Sequence, residues 1–325
     1  MGTELNYIVV DAHCDTITKL MDIKSKSNQG LYENSLHFDL TRTQSYGGFV
    51  QFFAAYISPD YCPNNAYARC RDIMRHFEYE VAKNQDSILH VKKSGDIKTA
   101  INQNKVAAVL TIENGAALEG DINKLQEFYD LGVRSIGLTW NGSNQIACGV
   151  KGDEPQGGLT TFGREVVTGM NELGMIIDVS HLTETSFWDV MEATRAPIIA
   201  SHSNAKKIHD HPRNLTNQQF EAVIKNNGVV GINLYPLFLN GTDRANINDI
   251  LRHIEHLCGL GGTNNIGIGA DFDGIPITPT DVTGIQYLST IFEALLQKNY
   301  TEEIVKNIAG LNFLRVINVE SQKWG

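Results

Sequence analysis

A chain of 325 residues, 42% hydrophobic and 20% charged, can bury a large core and is too apolar to be disordered. Its formal net charge of −10 argues against nucleic acid as a partner, because phosphate binding needs clustered Lys and Arg. Five scattered cysteines with no C-x-x-C pair read as the reduced thiols of a cytoplasmic protein, not as a zinc ribbon or disulfide frame.

Residues 1–6 lack a basic leader, and no stretch approaches the roughly 20 apolar residues of a membrane span, so no membrane is expected as a partner. In chain order, residues 7–12 read as a first strand that runs into D-A-H-C-D, with His13 and Asp15 two apart. On a strand, period two would put both side chains on one face. Residues 29–48 read as a long loop, 48–57 as a second strand and 66–83 as a helix. The third strand, 106–112, ends at Glu113 and is followed by a helix at 121–131. The fourth strand, 133–139, leads into a second long loop, 141–158, and a helix at 162–173. Both loops are placed to lie over a site. The fifth strand, 175–179, ends at His181 before a helix at 184–193, and the sixth, 197–201, ends at His202. A helix at 216–226 opens with a capping box, Thr216 and Gln219. The seventh strand, 228–235, a helix at 247–258 and the eighth strand, 266–270, follow, the last running into Asp271 and Asp273. Helical patterns at 284–298 and 302–308 and a short one at 312–317 close the chain.

Most of these strands are nearly continuous in Val, Ile, Leu, Ala and Phe, the pattern of parallel strands covered by helices. Eight alternations allow a doubly wound sheet or a closed barrel. The Gly-rich dinucleotide fingerprint is missing after the first strand. The expected fold is therefore α/β: a (β/α)8 TIM barrel of the metal-dependent hydrolase type. It is read as one domain over 1–325, with loop insertions near 29–48 and 141–158. In such a barrel the C-terminal strand ends form the catalytic face.

Imidazole and carboxylate at five such ends are the donor set of hydrolytic zinc sites. His13, Asp15, Glu113, His181 and His202 are enough to hold two ions if Glu113 bridges them, and the same donors accept manganese or cobalt. A further carboxylate, Asp271, is the candidate proton shuttle. Asp273 reads as a turn residue before Gly274, and Asp178 as a maker of core hydrogen bonds. His37, His76, His90, His209, His211, His253 and His256 read as surface or structural. Arg213 is either an ordinary surface residue or a clamp for a substrate carboxylate.

These motifs resemble the membrane (renal) dipeptidase family of metallopeptidases. The matching pieces are D-A-H-C-D-T at 11–16, I-E-N-G at 112–115, I-D-V-S-H at 177–181, P-I-I-A-S-H-S-N-A at 197–205, H-P-R-N at 211–214, G-A-D-F-D-G at 269–274 and A-G-L-N-F-L-R-V at 309–316. The resemblance implies a dipeptidase with two zinc ions per chain. His13 and Asp15 would hold one, His181 and His202 the other, and Glu113 would bridge both. Asp271 would move the proton, and Arg213 would hold the C-terminal carboxylate of a dipeptide, L,D-dipeptides included. It also suggests a homodimer. One position departs: Trp140 stands in L-T-W-N where the family carries a His near the scissile bond. Indole can only donate one hydrogen bond, so Asn141 or Asn144 is the expected substitute contact, with Tyr235 a further substrate contact. The rival readings are another amidohydrolase-like activity, on lactams, lactones or N-acyl amino acids, and an inactive barrel that binds peptides.

Overall fold

Strands buried on both faces need apolar residues at nearly every position, and this chain supplies them. The structure is a computed structural model that describes residues 6–23, 29–152 and 157–325. Residues 1–5, part of the start read above as lacking a leader, and residues 153–156 of the second loop lie outside the described residues. Among the described residues nine strands form one parallel sheet: β1 (Ile8–Cys14), β2 (Gly48–Tyr56), β3 (Ile88–His90), β4 (Val106–Glu113), β5 (Val133–Gly137), β6 (Ile176–Asp178), β7 (Ile199–Ala200), β8 (Val229–Ile232) and β9 (Ile266–Ile268). β2 pairs with β4 from Val50↔Ala107 to Tyr56↔Glu113 and β1 with β9, so eight strands close on themselves. The ninth, β3, pairs with residues 106–108 of β4, on the edge that β5 takes up from Leu110. This is the expected (β/α)8 barrel, with helices in its connections.

Side chains alternate across the barrel wall. Val10, Ala12, Val50, Phe52, Ala107 and Val109 form one buried cluster with Phe313, Val316, Ile317 and Trp324. Their strand neighbours Val9, Phe53, Ala108 and Leu110 pack instead with helix residues such as Leu20, Phe77 and Phe128. The last helix, Asn312–Glu320, closes the N-terminal end of the barrel. Asn312 Nδ2 donates to Ile266 O (2.8 Å) and Trp324 Nε1 to Gly174 O (2.8 Å), both at strand starts. That helix follows a wider turn, Asn307–Leu311, laid against β1. A Cβ on Gly310 would come within 2.6 Å of Ile8 O, so only glycine permits this approach. With the bottom plugged by apolar groups, polar chemistry is left to the other end. Phe313→Ala should lower stability by about 3–5 kcal/mol, through lost burial plus the cavity left behind. Chemical denaturation reads this directly, and an unchanged midpoint would mean that the plug does not hold the barrel together.

Among the elements that escape the sequence reading are helix Thr16–Ile23, strand β3 and helix Asp96–Asn102. Each has eight residues or fewer, too short for periodicity to stand out. The strand expected at 228–235 stops at Ile232, because the chain turns through Asn233 into the short helix Pro236–Leu239. The helices expected at 302–308 and 312–317 are one continuous run through the wider turn. The loop at 29–48 is tied to the barrel, with Leu31 N donating to Glu80 Oε2 (2.8 Å) and His37 N to Asp273 Oδ1 (2.8 Å). Among the described residues no helix is long and apolar enough to cross a membrane.

Candidate metal centre and substrate cavity

The C-terminal strand ends bring the predicted side chains together. His13 Nε2 lies 3.4 Å from Asp15 Oδ2, 3.4 Å from Glu113 Oε2 and 4.0 Å from Asp271 Oδ1. The other Glu113 oxygen, Oε1, lies 3.0 Å from His181 Nε2 and 3.7 Å from His202 Nε2, and those two nitrogens are 2.9 Å apart. Glu113 thus faces two groups of donors, one with each oxygen. His13 and Asp15 do not converge through strand period, as their spacing had implied. β1 slips by one residue against β2 between Asp11 and Cys14, a bulge, and Asp15 lies beyond the strand with its N–H on Phe272 O (2.9 Å).

Hydrogen bonds fix which imidazole nitrogen faces the centre. His181 Nδ1 donates to Asn141 Oδ1 (2.9 Å). Ser201 Oγ gives its own proton to Asp178 Oδ2, so it must accept from His202 Nδ1 (2.7 Å). Asp178 also takes the N–H groups of Ser180 and Ser201 at 2.9 Å, in line with the core role read for it. Both Nε2 atoms therefore present lone pairs, to each other and to Glu113, with no proton between them. Such an arrangement calls for a cation. His13 Nε2 and Asp15 Oδ1 are likewise buried without a partner. Two donors at about 2.1 Å on a tetrahedral cation lie about 3.4 Å apart, the scale of the separations here. Three overlapping groups can hold a metal on these grounds: His13, Asp15 and Glu113; Glu113, His181 and His202; and His13, His202 and Asp271.

Electrostatics point the same way. Burial, then the Glu113 charge, push Asp15 up to about 6. Burial, only partly offset by His13, and the charges of Asp15 and Glu113 push Asp271 up to about 7. Burial and the Arg213 charge lower His181 to about 3, which keeps its Nε2 free of protons. Asp271 is held by Asn233 Nδ2 (2.9 Å). His181 and Asp271 both sit at left-handed φ, +71° and +61°, the kind of local strain that functional sites retain. A Cβ on Gly274 would run into the Asp15 and Asp271 carboxylates, so glycine keeps that side of the centre open. Asp273 is the structural turn residue expected of it: at φ +67°, it accepts from Thr16 Oγ1 and His37 N.

Above the centre lies a cavity of about 480 Å³, lined in part by Asp15, Glu113, His181 and Asp271. Its walls include the predicted Arg213, Asn141 and Tyr235, and also Trp140, Tyr56 and Phe238. From the two long loops it takes Asn141 and Lys151, and no residue of 29–48. Arg213 is buried, donates to His202 O (3.0 Å), and leaves Nε unpartnered. Burial lowers it to about 10, so it stays charged at neutral pH, and among the described residues no carboxylate lies within 4.0 Å of it. Asn144 does not line this cavity: its amide is spent on Asn114 Oδ1, Leu138 O and Ile146 N.

The profile of the membrane dipeptidase family, peptidase family M19, matches residues 4–323. The chain belongs to this family. It is thereby a metal-dependent dipeptidase, a hydrolase of peptide bonds. An uncharacterised dipeptidase of Schizosaccharomyces pombe is 32% identical over 95% of this chain and 79% of its own length. An uncharacterised Klebsiella pneumoniae protein is 35% identical over 69% of this chain and 86% of its own. Among solved structures, a Rhodobacter sphaeroides metallopeptidase bound to a phosphinate mimic of L-Ala-D-Ala superposes with a TM-score of 0.88. It is 25% identical, over 98% of this chain and 100% of that one.

Several residues of this membrane dipeptidase site escape sequence reasoning. Asn233 and Ser201 orient Asp271 and His202, and Asp11 accepts from Ala270 N (2.8 Å) and Gln51 Nε2 (3.1 Å) beneath them. Only the positions of Asp11 and Ser201 within the D-A-H and S-H motifs could have marked two of them. His211 lines the cavity, which corrects its reading as surface or structural, and the signal was its place beside Arg213 in H-P-R-N.

Proposed function

We propose that this dipeptidase works with a pair of zinc ions, held by His13, Asp15, Glu113, His181 and His202 with Glu113 shared between them. The supporting observation is the division of Glu113, whose Oε2 faces His13 while Oε1 faces His181 and His202. Such ions would lower the pKa of a water and polarise the scissile carbonyl oxygen. Asp271 accepts the proton of the attacking water and returns it to the amine as the C–N bond breaks. A carboxyl whose proton affinity is raised towards neutrality suits both halves of that exchange. Arg213, with no counter-ion within 4.0 Å among the described residues, holds the C-terminal carboxylate of the substrate. A longer peptide would bring an amide where that carboxylate sits and leave the guanidinium unpaired.

Trp140 packs edge-on against Tyr56 (5.5 Å between centroids) and 6.0 Å from His181, and so forms an aromatic wall rather than a polar contact to substrate. Asn141 touches the cavity but its carbonyl is given to His181, so it orients that imidazole. The L-Ala-D-Ala mimic in the Rhodobacter relative supports acceptance of a D-residue at the second position. Five unpaired thiols fit a reducing compartment such as the cytoplasm.

Metal analysis paired with a substrate panel tests this reading. About two equivalents of zinc are expected, with turnover of Ala-Ala in its L,L or L,D form. A chelator should abolish activity and added zinc restore it. A zinc-loaded protein that hydrolyses N-acyl amino acids faster than any dipeptide would move the assignment to the amidohydrolase-like alternative. One that binds dipeptides without turnover would be the inactive barrel.

A further inference from the structure

The cavity wall carries two lysines besides Arg213, Lys19 and Lys151; the Lys19 charge acts on His37, whereas the Lys151 charge acts on His211, next to Arg213. Lys151 lines the cavity with Arg213 and His211. Its backbone is held beside the centre: Lys151 N donates to Asn141 O (2.7 Å), and Val150 N donates to His181 O (2.9 Å). Lys151 has no ion-pair partner among the described residues, whereas Asp22, on the same cavity wall, is taken by Arg69 Nη2 (2.7 Å). His211 Nδ1 accepts the Arg213 N–H (3.1 Å), so a neutral ring carries its proton on Nε2 and is a donor. Burial and the Arg213 and Lys151 charges push His211 down to about 4, which keeps the ring neutral at pH 7.

We infer that Lys151 and His211 form a subsite for a carboxylate on the side chain of the second residue, so that the preferred substrates are dipeptides ending in Asp or Glu. This rests on the dipeptidase reading above. With the main-chain carboxylate on Arg213, the side chain of the same residue is the part of the substrate nearest to Lys151. In a protein of net charge −10, a lysine that has no ion pair among the described residues and stands by His211 and Arg213 is placed to receive a negative group. The neutral His211 adds a directional donor without a second full charge to desolvate.

The comparison of Ala-Glu with its neutral isostere Ala-Gln isolates the charge. The expected kcat/KM ratio favours Ala-Glu about five-fold, carried by KM and falling with added salt, as for a partly exposed ion pair. Lys151→Met brings the ratio towards one, Lys151→Arg keeps it, and Lys151→Glu turns the preference to Ala-Lys. Lys151 is exposed, so these variants should fold as the parent does. A wild-type ratio of one with Ala-Gln well hydrolysed would overturn the subsite and leave the dipeptidase standing. So would a ratio that survives Lys151→Met, or a preference for the acid at the first residue instead. Failure to hydrolyse any dipeptide would overturn both readings.

Discussion

Asp271→Asn is expected to lower kcat by about 10²–10⁴-fold, the range for loss of a general acid–base, while zinc content stays unchanged. The amide has the shape of the carboxylate and can still accept the Asn233 Nδ2 hydrogen bond, seen at 2.9 Å in the parent. What it loses is the ability to take a proton from water and return it to the leaving amine. Asp271 Oδ1 stands 4.0 Å from His13 Nε2, further than the 3.4 Å that separates His13 from Asp15 and Glu113, so it is the carboxylate least committed to holding cations. Steady-state kinetics with parallel metal analysis decide the matter. If kcat stays within about three-fold of the parent, another group moves the proton; if zinc is lost as well, Asp271 is a ligand.

Glu113→Gln should have the largest effect on the metal centre. Loss of an outer hydrogen-bond partner of a ligand typically costs about 10–100-fold in metal affinity, and Glu113 touches both donor groups directly, so its loss should exceed that range. The neutral amide removes the one negative charge shared by both halves. Burial opposes ionisation of Glu113, yet the charge of His13 beside it holds its carboxyl well below the usual carboxylate range. The expected result is at most one tightly held zinc, with dipeptide turnover lost. Competition with a chromophoric chelator gives both stoichiometry and affinity. Two equivalents held with parental affinity would end the idea that Glu113 serves two ions.

The sequence alone determined the barrel and the chemical type of its centre. Continuous apolar strands separated by helices dictate a covered parallel sheet, and a parallel barrel puts every C-terminal strand end on one face. His13, Glu113, His181, His202 and Asp271 could therefore be grouped from strand ends scattered over more than 250 residues. Tertiary structure alone decided how those groups are held and aimed. The bulge that turns His13 and Asp15 inward depends on how β1 registers against β2. The partners of His181 and Asp271 are Asn141 and Asn233, 40 and 38 positions away. Nor could spacing say that Asn144 is spent on Asn114 and Leu138 while Lys151, seven residues on, reaches the cavity wall. The physical reason is that apolar periodicity is local and repeats along the chain, whereas a hydrogen bond between distant segments leaves no periodic trace in either of them.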